Sequence, residues 1–128
     1  MKQMQVDWRP FFAQIKTRGL LRLWVMLDCD SLDLIQGGTT VPPPWEVCAS
    51  WPAEQACPIG TCGLGEGMES VAQVTDYFAR VCAGVDVALN EPAGCRRALN
   101  AWDEGEREVE RLVLLAEVEA ELARRLTG

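Results

Sequence analysis

Apolar residues recur along this chain in steps of three and four, with little strand-like alternation. That is the signature of helices that turn one face inward. Over residues 7–18, Trp8, Phe11, Phe12 and Ile15 share one face and Arg9, Lys16 and Arg18 the other. Asp7 is placed to cap this helix, Pro10 is tolerated in its first turn, and Gly19 is placed to stop it. The run Leu20–Leu27 is apolar almost throughout and fits either a buried strand or a short core helix. Leu and Met outnumber β-branched residues in it, which favours the helix. Leu32, Leu34 and Ile35 extend this core before Gly37 and Gly38 break the pattern.

The pattern predicts three more helices. Over 66–83, Met68, Val71, Ala72, Thr75, Phe78, Ala79 and Cys82 fall on one face, with Gly84 as the stop. A short helix over 92–101 takes Asn90 or Glu91 near its cap and Pro92 in its first turn, and aligns Cys95, Leu99 and Trp102. The last, over 104–126, starts on the capping-box pair Asp103 and Glu106. Its acids crowd the first half and Arg124 and Arg125 sit at its end, as the helix dipole favours. Val109, Leu112, Val113, Leu115, Ala116, Leu122 and Leu126 make a broad apolar face, and Glu119 breaks a strict heptad seam. Residues 36–67 show neither period and are read as irregular, with Val41–Trp45 extended as a rigid connector near polyproline II. The expected fold is therefore mainly α. It is a single compact domain over 1–128 of four to five helices, with a long irregular Pro/Trp/Cys-rich segment at 36–67 and a helical C-terminal half at 66–126.

Charge narrows the partners. The net charge of −7 is unevenly spread: residues 1–27 balance at +4 and residues 28–128 at −11. An acidic body disfavours direct nucleic-acid binding, which relies on Lys and Arg neutralising phosphates. It suits a basic protein partner, or a surface over Asp103–Glu121 that imitates nucleic acid. No apolar stretch is long enough to span a bilayer and no secretory leader is evident, so a cytoplasmic location is expected.

The chain has no histidine, which removes Ser/His/Asp and Cys/His catalysis. Its six cysteines are then the only unusual chemistry. No CxxC pair exists, so the zinc-ribbon and thioredoxin signatures are missing. Cys57 and Cys62 are separated by four residues and, with Cys29 and Cys48, make a four-thiolate set for zinc or an iron–sulfur cluster. A disulfide between Cys29 or Cys48 and Cys57 or Cys62 is a second use of the same residues. Cys82 and Cys95 read as small core residues on helix faces. Cys62, just before the helix at 66–83, is the one placed for thiol activation by a helix dipole. The glycines at 60, 63, 65 and 67 around it are reminiscent of an anion cradle, but the P-loop lysine is missing. Asp28, Asp30 and Asp33 are a divalent-cation candidate without the features of an EF-hand loop.

Two short pieces carry a resemblance. Cys62-Gly-Leu-Gly65 and Leu99-Asn-Ala-Trp-Asp103, followed by an acid-rich amphipathic helix, resemble a small domain family of unknown function from actinobacteria and their phages, with C-A-L-G and W-N-D elements. The resemblance covers about residues 60–118 and departs from the pattern at Gly63 and Asp103. It implies a compact helical domain in which Trp102 packs at the entrance of the last helix, and brings no catalytic residues.

The resulting expectation is a non-enzymatic, small acidic protein without a cofactor, a regulatory or accessory factor of phage or bacterial origin that binds another protein. Trp45 and Trp51 in the irregular segment are the candidate contact residues, with Trp8, Phe11 and Phe12 as a second patch. The alternatives are a Zn or Fe–S module on Cys29, Cys48, Cys57 and Cys62, and the acidic nucleic-acid mimic.

Overall fold

The computed structural model describes residues 7–36, 53, 55–90 and 94–127. Among them the chain forms six helices and no strand: α1 (Arg9–Phe12), α2 (Thr17–Asp28), α3 (Pro58–Gly65), α4 (Val71–Leu89), α5 (Gly94–Glu104) and α6 (Arg107–Thr127). The mainly α expectation holds, with more helices than expected and different ends.

The helix expected over 7–18 is broken at 13–16. Lys16 is extended (φ −72°, ψ 156°) and leads into α2, so Gly19 lies inside a helix and does not end one. Tertiary partners make the break affordable in hydrogen bonds: Glu66 accepts the Lys16 backbone N–H at 3.3 Å, and Arg125 donates to the Phe12 and Ile15 carbonyls at 2.8 and 2.9 Å. The ambiguous run Leu20–Leu27 is helical, within α2.

α3 corrects the reading of 36–67 as wholly irregular. Its sequence, Pro-Ile-Gly-Thr-Cys-Gly-Leu-Gly, has poor intrinsic helix propensity. Burial overrides that: Pro58, Ile59, Gly60, Thr61, Cys62 and Gly63 are all buried, and an apolar helix with no polar side belongs in a core. Pro58 sits in the first turn, and the Cys57 sulfur accepts the Gly60 N–H at 3.4 Å. The helix ends in a Schellman turn. Met68 N–H bonds Gly63 O, Gly67 N–H bonds Leu64 O, and Gly67 takes the φ of +103° that glycine tolerates best.

The glycines of α3 set its distance from its neighbours. A Cβ on Gly65 would stand 2.9 Å from Arg18 O and 3.1 Å from Gly19 Cα, and one on Gly63 would stand 2.9 Å from the Tyr77 ring. They admit α2 on one side and α4 on the other.

α4 begins five residues later than expected, on Ser70. A capping box holds this end: Ser70 Oγ accepts the Gln73 N–H at 3.2 Å, and the Gln73 side chain accepts the Ser70 N–H at 3.2 Å. The helix runs through Gly84 and stops at Asn90, whose left-handed backbone (φ 51°, ψ 43°) ends α4 where it was expected to cap α5. Its buried stripe is Val74, Tyr77, Val81 and Val85. The expected stripe lies about one position round the helix: Thr75 and Ala79 are exposed, and Phe78 and Cys82 are half-buried against the core. At the start of α5, Asp86 of α4 accepts the Cys95 N–H at 2.9 Å.

α2 packs on α3 and α6, α4 on α3, α1 and α5, and α5 on α6. The core they enclose joins Trp8, Phe11, Phe12, Leu20, Leu27 and Trp102 to Leu114 and Val118 of α6. Trp102 is fully buried, and its Nε1–H donates to Ile35 O at 3.0 Å. Asp103 belongs to α5, so the expected Asp103–Glu106 capping box does not open α6.

Candidate functional site

The sequence-predicted contact residues divide into two groups. Trp45 and Trp51, with Cys48 and the Val41–Trp45 connector, lie outside the described residues. Trp8, Phe11 and Phe12 are no more than 2% exposed, and the Trp8 and Phe11 rings pack at a tilt of 50° with centroids 5.1 Å apart. As placed, these three are core and offer no contact patch; their spacing encoded burial.

The cysteines also separate. Cys29 is exposed at the end of α2, whereas Cys57 and Cys62 are buried in and before α3. Among the described residues, no three Cys, Asp or Glu side chains gather to hold a metal ion. Nor do Cys29, Cys57 and Cys62 pair with one another. The disulfide joins Cys82 to Cys95, with Cα atoms 5.3 Å apart, and ties α4 to α5. The two were expected as core thiols, and Cys95 is indeed buried. Burial pushes the Cys57 thiol up to about 11, and pushes Cys62 well above the usual range, reinforced by Cys57 and Glu66. Cys62 therefore lacks the lowered pKa of an activated nucleophile. Of the glycines beside it, Gly63 and Gly65 face α4 and α2, whereas Gly67 borders open space and its positive φ serves the turn that ends α3. Asp30, from the candidate cation cluster, instead pairs with Arg107 at 3.0 Å and Arg111 at 3.9 Å.

Two features remain as candidates for function. The first is the outward face of α6. This helix buries only Leu114 and Val118 fully, with Leu115 and Leu122 packed beside them. Several residues of its expected apolar face point away from the protein: Val109 and Leu112 are about half exposed, Leu126 is 88% exposed and Ala116 is open; Ala120 and Ala123, not part of that expectation, are open too. Ala116 follows Leu114 by two residues, or 200° of helix, which puts it opposite the core. Glu106, Glu108 and Glu119 are exposed alongside. Of the acids expected to mimic nucleic acid, Glu108 is bound to Arg111 at 2.7 Å, and Glu121 to Arg124 and Arg125 at 2.8 Å each.

The second is a cavity of about 250 Å³ between the 13–16 break and α4, lined in part by Lys16, Arg18, Glu66, Met68, Tyr77 and Arg80. On its wall, Glu66 is only 8% exposed. Its Oε2 accepts the Tyr77 hydroxyl and the Lys16 N–H, and its carbonyl accepts Arg18 at 2.8 Å. Burial and the Glu66 hydrogen bond raise the Tyr77 phenol far above its usual range, so the hydroxyl stays a donor. Neither Glu66 nor Tyr77 was singled out from the sequence. The available signal was a lone Glu in a Gly-rich turn and a single Tyr on a predicted helix.

No helix among the described residues is long and apolar enough to cross a membrane. No family model, curated protein or solved structure matches this chain.

Proposed function

We propose that this chain is a non-enzymatic accessory or regulatory protein that docks a basic protein partner on the outward face of α6. The observation that carries the reading is the exposed apolar stripe of Val109, Leu112 and Ala116, flanked by the exposed acids Glu106 and Glu119. The apolar centre supplies burial on association, and the acidic rim supplies orientation and attraction for Lys and Arg. The partner's matching surface is an apolar groove with a basic border. A bacterial or phage setting is the one the family resemblance implies, and a cytoplasmic location fits the same reading. Buried thiols with raised pKa support a non-catalytic role for Cys57 and Cys62.

The test compares capture by the native chain with capture by Val109→Lys and Leu112→Lys. Both positions are half exposed, so the fold tolerates the change. The expected result is one basic partner, bound in fixed stoichiometry, weakened by salt and lost in both variants with unchanged melting temperature. Capture of the same proteins by native chain and variants alike, or capture indifferent to salt, overturns the reading.

A further inference from the structure

Three cations meet at the cavity beside Glu66, in a chain whose net charge is −7. Lys16 closes the break after α1, Arg18 lies in the first turn of α2, and Arg80 comes from the middle of α4. All three are exposed, and none forms an ion pair with a carboxylate among the described residues. Five arginines elsewhere, Arg9, Arg107, Arg111, Arg124 and Arg125, pair with Asp or Glu, while Arg22 and Arg96 are, like these three, without an ion pair among the described residues but stand outside the cavity. Arg18 is directed by its bond to Glu66 O, and Arg80 lies 5.7 Å from the centre of the Tyr77 ring. The one acid on the wall, Glu66, has its Oε2 engaged by the Tyr77 hydroxyl and the Lys16 backbone N–H. Three positive charges against one negative leave the cavity with an excess of +2.

From this geometry we infer that the cavity is a binding site for a phosphate dianion, the phosphoryl group of a small phosphate monoester. The +2 excess matches that dianion. Lys16 and Arg80 supply unpaired charge, and Arg18 is held in place to add charge-assisted donors of the kind phosphate selects. Partial enclosure strengthens these contacts relative to open water. Met68 and Val81 give an apolar wall for the organic part of the ester, and the volume of about 250 Å³ limits that part to a small body. This site lies apart from the α6 face and does not depend on the docking reading.

Inorganic phosphate is the probe, titrated at constant ionic strength and followed by amide chemical shifts in the intact chain. The expected result is saturable movement centred on Lys16 and Tyr77, with acetate much weaker. Lys16→Gln and Arg80→Gln each weaken phosphate about tenfold, the usual scale for a charge-assisted contact. Arg96→Gln, an exposed cation on α5 outside this cavity, leaves the affinity unchanged. A non-saturating response, equal response to acetate, or equal weakening by Arg96→Gln overturns the assignment. If the cations serve only to balance Glu66, the two cavity variants lower the melting temperature without phosphate and no saturable site exists; that outcome also overturns it.

Discussion

Gly63 and Gly65 decide more of this structure than any side chain of comparable size. Each stands where a Cβ would meet an atom that cannot readily retreat: the Tyr77 ring for Gly63, and Arg18 O with the Arg22 Cβ for Gly65. Alanine gains nearly 1 kcal/mol of helix propensity at such positions. Overpacking costs about 1–3 kcal/mol and outweighs it. Gly63→Ala and Gly65→Ala are therefore expected to destabilise by up to about 2 kcal/mol net, measured by urea unfolding. Gly84→Ala gives the opposite sign. Its Cβ would meet only the end of the exposed Gln14 side chain, which can swing away, so propensity wins and stability rises by up to about 1 kcal/mol. An unchanged midpoint for Gly63→Ala and Gly65→Ala would show that α3 does not lie this close to its neighbours.

At the scale of elements, α6 works as a brace through its arginines. Arg107 donates to Leu34 O at 2.7 Å and Ser31 O at 2.9 Å, and Arg111 donates to Leu27 O at 2.7 Å. Arg125, some four turns on, takes Phe12 O and Ile15 O. These carbonyls belong to the ends of α1 and α2 and the turns after them, where a helix leaves acceptors unfilled and its dipole favours a cation. One helix thus closes two others and runs antiparallel to α2, with Arg111 at the end of α2 and Arg125 at its start. Arg107→Ala and Arg125→Ala should each cost about 1.5–3 kcal/mol, the worth of hydrogen bonds to a charged group. Lysine should recover only part, since it lacks the planar fork that reaches two carbonyls. Arg124→Ala, which removes only an exposed pair with Glu121, should cost less than about 0.5 kcal/mol in the same denaturation series.

For the whole molecule, the buried titratable groups predict alkaline instability. Cys57, Cys62 and Tyr77 all hold their protons more tightly folded than unfolded, first because burial penalises their charged forms. A raised pKa contributes stability that is complete below the unfolded value and declines above it. For Cys57 the decline starts near the ordinary thiol value of 9.0 and ends near 11. Its part of the loss is on the order of 2–3 kcal/mol. Tyr77 adds to the fall above about pH 10, the usual phenol value. Melting temperature should therefore drop steeply from pH 9 to 11. Tyr77→Phe should be less stable at pH 7, having lost the Glu66 bond, yet show a shallower drop. A flat profile over this range would mean that the thiols and the phenol are not buried as described.

The mainly α class was legible because periodicity depends only on which residues want water, and Leu20, Leu99 and Trp102 were placed inward by it; Trp8, Phe11 and Phe12 shared one face in the same pattern, but only the structure turns that face into core and not a contact patch. The Ser70–Gln73 capping box was equally available as a local pattern. Three kinds of feature were not. α3 exists because neighbours bury a glycine-rich segment whose own propensity opposes a helix. The buried stripe of α4 was set by where Gly63 lets Tyr77 approach, which no single-helix pattern contains. The outward apolar stripe of α6 and the Lys16, Arg18 and Arg80 cluster depend on which side of a helix the rest of the chain covers, and on residues 16 and 80 meeting across the fold. By itself the sequence determined what each segment prefers to bury. Tertiary structure decided which of those preferences were met, because packing energy gained between segments exceeds the propensity lost within them.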